Sequence, residues 1–480
     1  MKLKTKNYKL TTNEGQSLIG ILIAMAIFVI TSAAAFFVFF GGQSLTADSV
    51  NAQLALEYGS EGLGAARGIR GRNWEELSDG DHGLVFVSGQ WQFSGSSDTK
   101  DAFTRKINIS TIDMNTKKAI ATITWQTDSS RPQKIELAEE LTNWANPLVG
   151  GCDSGALSGN WAAPRILGAA DIGPGNEGTD VAVKLPYVFV SATASSGSKP
   201  DLLVFNVSNP AAPLLVRQID IGSGGISALS LKDNYLYAAS ANDTRELAIF
   251  NIADPPNTSE AGFLNLSGSS DAISVLVIPN SNVVAIGRKD SAPYEISFVD
   301  VSNPASPNAI NQWVADGDIN DFIYANRKLY AVSEDSDDDI WTFNVSNPST
   351  PSLIGTYNLA DGTEDISAGF QLPGNLFIGN ADNKFIVVGA TTTNQMYLRS
   401  SFVTGGAVND LVCVAGNLAF LATSNNNKEF IIANIANPDN IAEYGSLNLS
   451  QSATGVDFAD NKVFVSVRSN DSLKIITSQQ

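Results

Sequence analysis

The chain of 480 residues holds a single histidine, His82, and only two cysteines, Cys152 and Cys413. With its one imidazole so early, the chain from residue 164 onward has no histidine to act as general base or metal ligand, which excludes a Ser-His-Asp triad there. His82 itself stands at the start of a predicted hairpin and reads as an exposed turn residue. Two cysteines cannot make a disulfide framework. Cys152 falls in a Gly/Ser-rich stretch and Cys413 in an apolar strand pattern, and no bridge between them is expected. Basic residues are scarce too: 30 Lys and Arg against 49 Asp and Glu give a net charge of −19. Such a surface disfavours nucleic acid and anionic lipid as partners.

The sharpest absence is local, since no ionisable side chain occurs between Glu14 and Asp48. Within that run Leu18–Phe40 gives 23 mostly apolar residues, which at about 1.5 Å per residue cross a hydrocarbon core about 30 Å thick. Lys2, Lys4, Lys6 and Lys9 precede it, a bias that holds residues 1–15 in the cytoplasm. The expectation is a single-pass segment in the cytoplasmic membrane with the remainder outside. The run is too long, and lacks the trailing cleavage site, for an ordinary secretory signal.

The stretch KNYKLTTNEGQSLIGILIAMAIF resembles the start of a type IV prepilin or pseudopilin. The resemblance implies a prepilin peptidase that cuts between Gly15 and Gln16, methylation of Gln16, other pilin subunits as partners, and a final address at the cell surface or pilus. That family also carries a glutamate five residues into the mature chain, where this sequence has Gly20. A carboxylate inside a bilayer is kept only where it gains a partner, so Gly20 favours a minor, tip-located subunit over a major one.

The reading divides the chain into a leader (1–15), an assembly helix (16–40), a pilin-like globular domain (41–145), a linker (146–163) and a repeat domain (164–480). Gly59, Gly62, Gly64, Gly68 and Gly71, each costing a helix about 1 kcal/mol against alanine, are expected to bend or break the outer half of the helix. Strands are expected at His82–Val87 with Gln90–Phe93, at Arg105–Ser110 with Ala119–Trp125, and at Gln133–Leu137.

Repetition decides the rest. FNVSNPAAP at Phe205–Pro213 returns as FVDVSNPASP at Phe298–Pro307 and FNVSNPSTP at Phe343–Pro351, with weaker copies at Phe250–Pro256 and Ala433–Asn440. An asparagine can close a turn on its own backbone, and the proline after it cannot extend a ladder, so the motif marks a strand end. A period of about 46 residues with four short apolar runs describes a propeller blade. Seven units start near Asp180, Ser227, Ser274, Asn320, Ser367, Asp410 and Thr454. The last has three strands, and Pro164–Gly173, which matches Pro213–Gly222, is expected to supply the fourth. The units are similar to the LVIVD-repeat family, whose resemblance implies a surface propeller. The expected fold class is therefore multidomain: a long N-terminal α-helix with a small antiparallel sheet, pilin-like and α+β, then an all-β seven-bladed propeller closed by an N-terminal outer strand.

The seven unit-start residues are all small and polar, and two readings stay open for them. They ring one mouth of a central channel and hydrogen-bond a ligand, or they satisfy backbone groups where each inner strand begins. Asp335, Asp337 and Asp339 are weak calcium candidates in an acidic run that lacks the glycine and distal glutamate of an EF-hand loop; Asp316, Asp318 and Asp321 are a second such group. No cofactor, metal or catalytic residue is otherwise expected. The functional expectation is a minor pilin or pseudopilin-like subunit displaying a propeller for adhesion or for binding a glycan or protein ligand outside the cell. Its rivals are a carboxylate- or calcium-dependent propeller hydrolase or lyase, and a structural pseudopilin that primes assembly or secretion.

Overall fold

The computed structural model describes residues 14–480 except 73, 88, 114–115, 127–130, 143–156, 195–198, 291, 335–337, 360–364, 372–373, 391–395, 415–416, 450 and 480, and gives backbone alone at 14–21, 37–48, 75, 112–113, 116, 194, 365–366, 370–371, 390 and 414. The chain forms two compact units, one of Met1–Ile112 with Thr116–Asn143 and one that is mostly Trp144–Gln480.

In the first unit, helix α1 (Glu14–Arg72) is followed by β1 (Gly80–Val87), β2 (Gln90–Ser94), β3 (Asp98–Lys100), β4 (Phe103–Asp113), β5 (Thr116–Gln126) and β6 (Pro132–Thr142). The sheet order is β2-β1-β4-β5-β6, with β3 also paired to β4. Strand alternation does the sorting: Ala119, Ala121, Ile123 and Trp125 of β5 are buried, as are Ala55, Leu63, Ala66 and Ile69 of α1. The glycines do not break the helix. A Cβ on Gly59 would lie 2.8 Å from Leu137 Cδ1, and one on Gly62 would lie 2.7 Å from Ile107 Cδ1. Two of the five glycines therefore let the helix approach the sheet closely, and packing overrides their poor propensity. Arg105, 4% exposed, ties helix to sheet by pairing with Asp98 at 2.9 Å and Glu61 at 3.2 Å. His82 lies within β1, its ring stacked 4.3 Å from Phe93 and its Nε2 2.7 Å from the Ser78 carbonyl oxygen. It is half-buried, not an exposed turn residue.

Other N-terminal expectations are corrected. Among the described residues no helix is long and apolar enough to cross a membrane. On that finding the expected single-pass membrane precursor is corrected. The leader, residues 1–13, lies outside the described residues, and at Gly15, Gln16 and Gly20 only helical backbone is described. The expected fold class is corrected as well. With 34 strands among the described residues, strand dominates the chain as a whole, and the sheet that follows α1 in the N-terminal part has six strands in place of a small one.

The second unit is seven separate four-stranded antiparallel sheets. None closes on itself. The ring is completed by side-chain packing, the innermost strand of the first sheet meeting two strands of the last. Blade 1 contains Asn176–Lys184, Tyr187–Ala194, Leu202–Asn206 and Leu214–Ile219 in order from the inside outward. Blade 7 contains Ala453–Ala459, Lys462–Val467 and Leu473–Gln479, and its outer strand is β7 (Asn160–Ala170), which pairs Ala170 with Leu473 and Ile166 with Ile476. The start of β7 moves the expected linker boundary. Trp161 is 2% exposed and packs edge-on against Phe420 at 4.9 Å, so residues assigned to the linker belong to the propeller core.

The repeated Asn-Pro motif acts as its chemistry requires. Asn209, Asn347 and Asn437 each accept, through Oδ1, the backbone N–H two residues on, at 3.3, 3.3 and 3.1 Å. The turn it makes also meets the neighbouring blade: a Cβ on Gly168 of β7 would lie 2.1 Å from the Pro210 carbonyl oxygen, and one on Gly262 would lie 2.1 Å from that of Pro304. The expectation about the cysteines is overturned, since Cys413 is disulfide-bonded and Cys152 is the only other cysteine in the sequence.

Candidate functional site

The innermost strands begin at Asn176, Ile226, Ala272, Ile319, Asp365, Val408 and Ala453 in blades 1 to 7. Every one of them slips register by one residue near its start, at Thr179, Ser227, Ile273, Asn320, Ile366, Asn409 and Thr454. A bulge of this kind re-aims the side chains on either side of it. Structurally equivalent positions are therefore Asp180, Ala228, Ser274, Asp321, Ser367, Asp410 and Gly455, one residue after each bulge. The seven residues picked from the sequence mix the two sets, with Ser227, Asn320 and Thr454 at the bulge and the other four just past it.

These strands surround a channel cavity of about 390 Å³ lined by Asp180, Ser227, Ser274, Asn320, Asp410 and Thr454 of the expected ring, together with Asp321 and Asp457. Ser367 does not line it. Its Oγ donates to the Val408 carbonyl oxygen at 3.0 Å.

That bond is one of a complete set across the blade junctions. Asp180 accepts the N–H of Val181 on its own strand at 2.6 Å and of Leu229 in blade 2 at 2.7 Å. Ser230 accepts from Val277 between blades 2 and 3 at 3.1 Å. Ser274 donates to the Ile319 carbonyl oxygen between blades 3 and 4 at 2.6 Å. Asp321 accepts from Phe322 and from Ala368, joining blades 4 and 5. Asp410 accepts from Leu411 and Val456, joining blades 6 and 7, and Asp457 accepts from Phe458 and Val183, joining blades 7 and 1. The reading in which these residues satisfy backbone groups accounts for most of them.

The carboxylates nonetheless sit in an unusual field. The channel lining carries four aspartates and no basic side chain. Burial pushes Asp180 and Asp321 up to about 7 and Asp457 up to about 6, the bonds from backbone N–H groups offsetting only part of this. Asp410 is raised by burial and then by the charges of Asp180 and Asp321. Loss of hydration disfavours the charged form wherever no cation replaces the water.

At the mouth, the bulge residues Thr179, Ser227, Asn409 and Thr454 also line a second cavity of about 480 Å³, joined by Glu177, Asp271, Lys289 and Arg468. Lys289 is paired with Asp271 at 2.7 Å.

The metal candidates separate. Asp335 and Asp337 lie outside the described residues, and Asp339, 1% exposed, accepts the Leu359 N–H. Asp318 accepts the Asp290 N–H at 2.6 Å, whereas Asp321 faces the channel. Among the described residues no group of three or more His, Cys, Asp or Glu is placed to hold a metal ion.

Asp339 belongs to a series that the sequence reading missed. Asp201, Glu246, Glu295 and Glu429 are likewise at most 3% exposed, and each accepts the N–H twenty residues on, from Ile221, Leu266, Ala315 and Leu449 at 2.7 to 2.8 Å. The available signal was an acidic residue directly before the third apolar strand of five blades.

Residues 295–313 and 335–359 match the LVIVD repeat. They cover the third and outer strands of blades 3 and 4, including Glu295 and Asp339. No curated protein matches the chain. Among solved structures, one of the mitotic checkpoint complex is similar at 11% identity, covering 68% of this chain and 98% of the other, with a TM-score of 0.51. Saccharomyces cerevisiae Sqt1 is similar at 12% identity over 67% of this chain and 100% of its own, with a TM-score of 0.48. Likeness at such identity speaks to the fold alone. The chain has a β-propeller-type repeat fold.

Proposed function

We propose that the chain is a non-catalytic, minor subunit of a filament of the pilin kind, joined to other subunits through α1 and displaying its propeller to bind a partner. The observation that supports this most directly is the exposure of an uncharged stretch of helix. Met25, Phe28, Val29, Ile30 and Phe36 are between 60% and 71% exposed, whereas Ala55, Ala66 and Ile69 of the same helix are fully buried. A contiguous apolar surface of this kind marks an interaction site, and the equivalent helices of other copies match its chemistry. Catalysis is left out of the reading because each channel carboxylate already accepts two backbone N–H groups and the propeller has no histidine.

The test is sedimentation velocity of the full chain without detergent. The native chain is expected to form large assemblies that the paired changes Phe28→Asp and Ile30→Asp disperse, with the propeller's unfolding midpoint unaltered. A native chain that sediments as single copies would overturn the proposal.

A further inference from the structure

The mouth cavity contains two opposite charges that have not neutralised each other. Glu177 opens the inner strand of blade 1, and Arg468 directly follows the second strand of blade 7, so the two stand on adjacent blades. Both side chains are exposed and both line the 480 Å³ cavity. Among the described residues neither forms an ion pair, in contrast to Lys289 and Asp271 at the same mouth. The Ser227 hydroxyl opens onto the same space. The four residues shared with the channel make the two cavities continuous, and the channel beyond is lined by Asp180, Asp321, Asp410 and Asp457 without a base.

We propose that this mouth binds a small zwitterion, an α-amino acid whose carboxylate pairs with Arg468 and whose ammonium pairs with Glu177, a basic side chain being preferred because it points into the acidic channel. A guanidinium meets a carboxylate through two parallel N–H···O bonds, which fixes the orientation of the bound group. A cavity of this volume suits a small molecule, and the field of the channel draws positive charge inward. The inference rests on the propeller being the binding part of the chain.

The experiment is calorimetric titration of the full chain with L-lysine, glycine and glucose. Lysine is expected to bind more tightly than glycine, and glucose not at all. Arg468→Ala and Glu177→Gln, both at exposed positions, are each expected to weaken lysine binding about tenfold or more while leaving the unfolding midpoint of the unliganded protein unchanged. Failure of both amino acids to bind at millimolar concentration, or lysine binding that is equal in both variants and the native chain, would sink the proposal. Because assembly through α1 is read separately by sedimentation, such a failure with assembly intact removes the zwitterion site and not the filament-subunit reading.

Discussion

Asp410 Oδ2 accepts the N–H of Val456 at 2.6 Å, across the junction between blades 6 and 7. Its other oxygen accepts the N–H of Leu411 at 2.7 Å, so one side chain satisfies backbone on two sheets, one partner adjacent and the other 46 residues on. Asp410→Ala is expected to destabilise the propeller by about 2 kcal/mol or more, since both N–H groups lose their acceptor in a desolvated place. Urea unfolding at neutral pH measures it, and a midpoint equal to that of the native chain would argue against the staple.

Stability should fall as pH rises through neutrality. Asp180, Asp321 and Asp457 have folded pKa values of about 7, 7 and 6, above the ordinary carboxylate range, and Asp201 is raised to about 6. A raised carboxylate binds its proton more tightly when folded. Its contribution is therefore complete below about pH 4 and lost as pH climbs through the folded value. Exposed carboxylates held low by hydrogen bonds and cations, such as Asp81 beside Asn108 and Lys106 and Asp439 beside Arg399, act in the opposite sense but only in more acid solution. The melting temperature is expected to be lower at pH 8 than at pH 5; a higher one at pH 8 contradicts the assignment.

Two glycine substitutions should move stability in opposite directions. Gly168→Ala places a methyl group 2.1 Å from the Pro210 carbonyl oxygen, a backbone atom that cannot swing aside, and is expected to cost about 1–3 kcal/mol. Gly64→Ala meets nothing within 4 Å and should stabilise α1 by up to about 1 kcal/mol. Denaturant unfolding of each variant reads the sign.

Trp161→Ala should cost the propeller about 3–5 kcal/mol, the range for truncating a buried tryptophan, because the ring is enclosed with Phe420, Phe430 and Val465. A deletion of residues 1–163 is expected to unfold more readily than one of residues 1–156. Equal unfolding midpoints would show that the propeller begins at Pro164.

Sequence alone determined what depends on local chemistry. The Asn-Pro turns recur because asparagine closes a turn within two residues and proline ends a ladder, so their spacing gave the blade period and marked strand ends. The small polar residues near each inner-strand start were visible for the same reason. What the sequence could not align was the one-residue slip at each bulge, which makes Asp321 and not Asn320 the position equivalent to Asp180 and Asp410. It also could not show that Gly59 and Gly62 serve close packing, or that Asp339 in an acidic run is buried. Those outcomes belong to tertiary structure, because the atoms that decide them lie on another blade or another strand. Whether a polar side chain binds a ligand or satisfies a neighbouring backbone is settled by which of the two reaches it first.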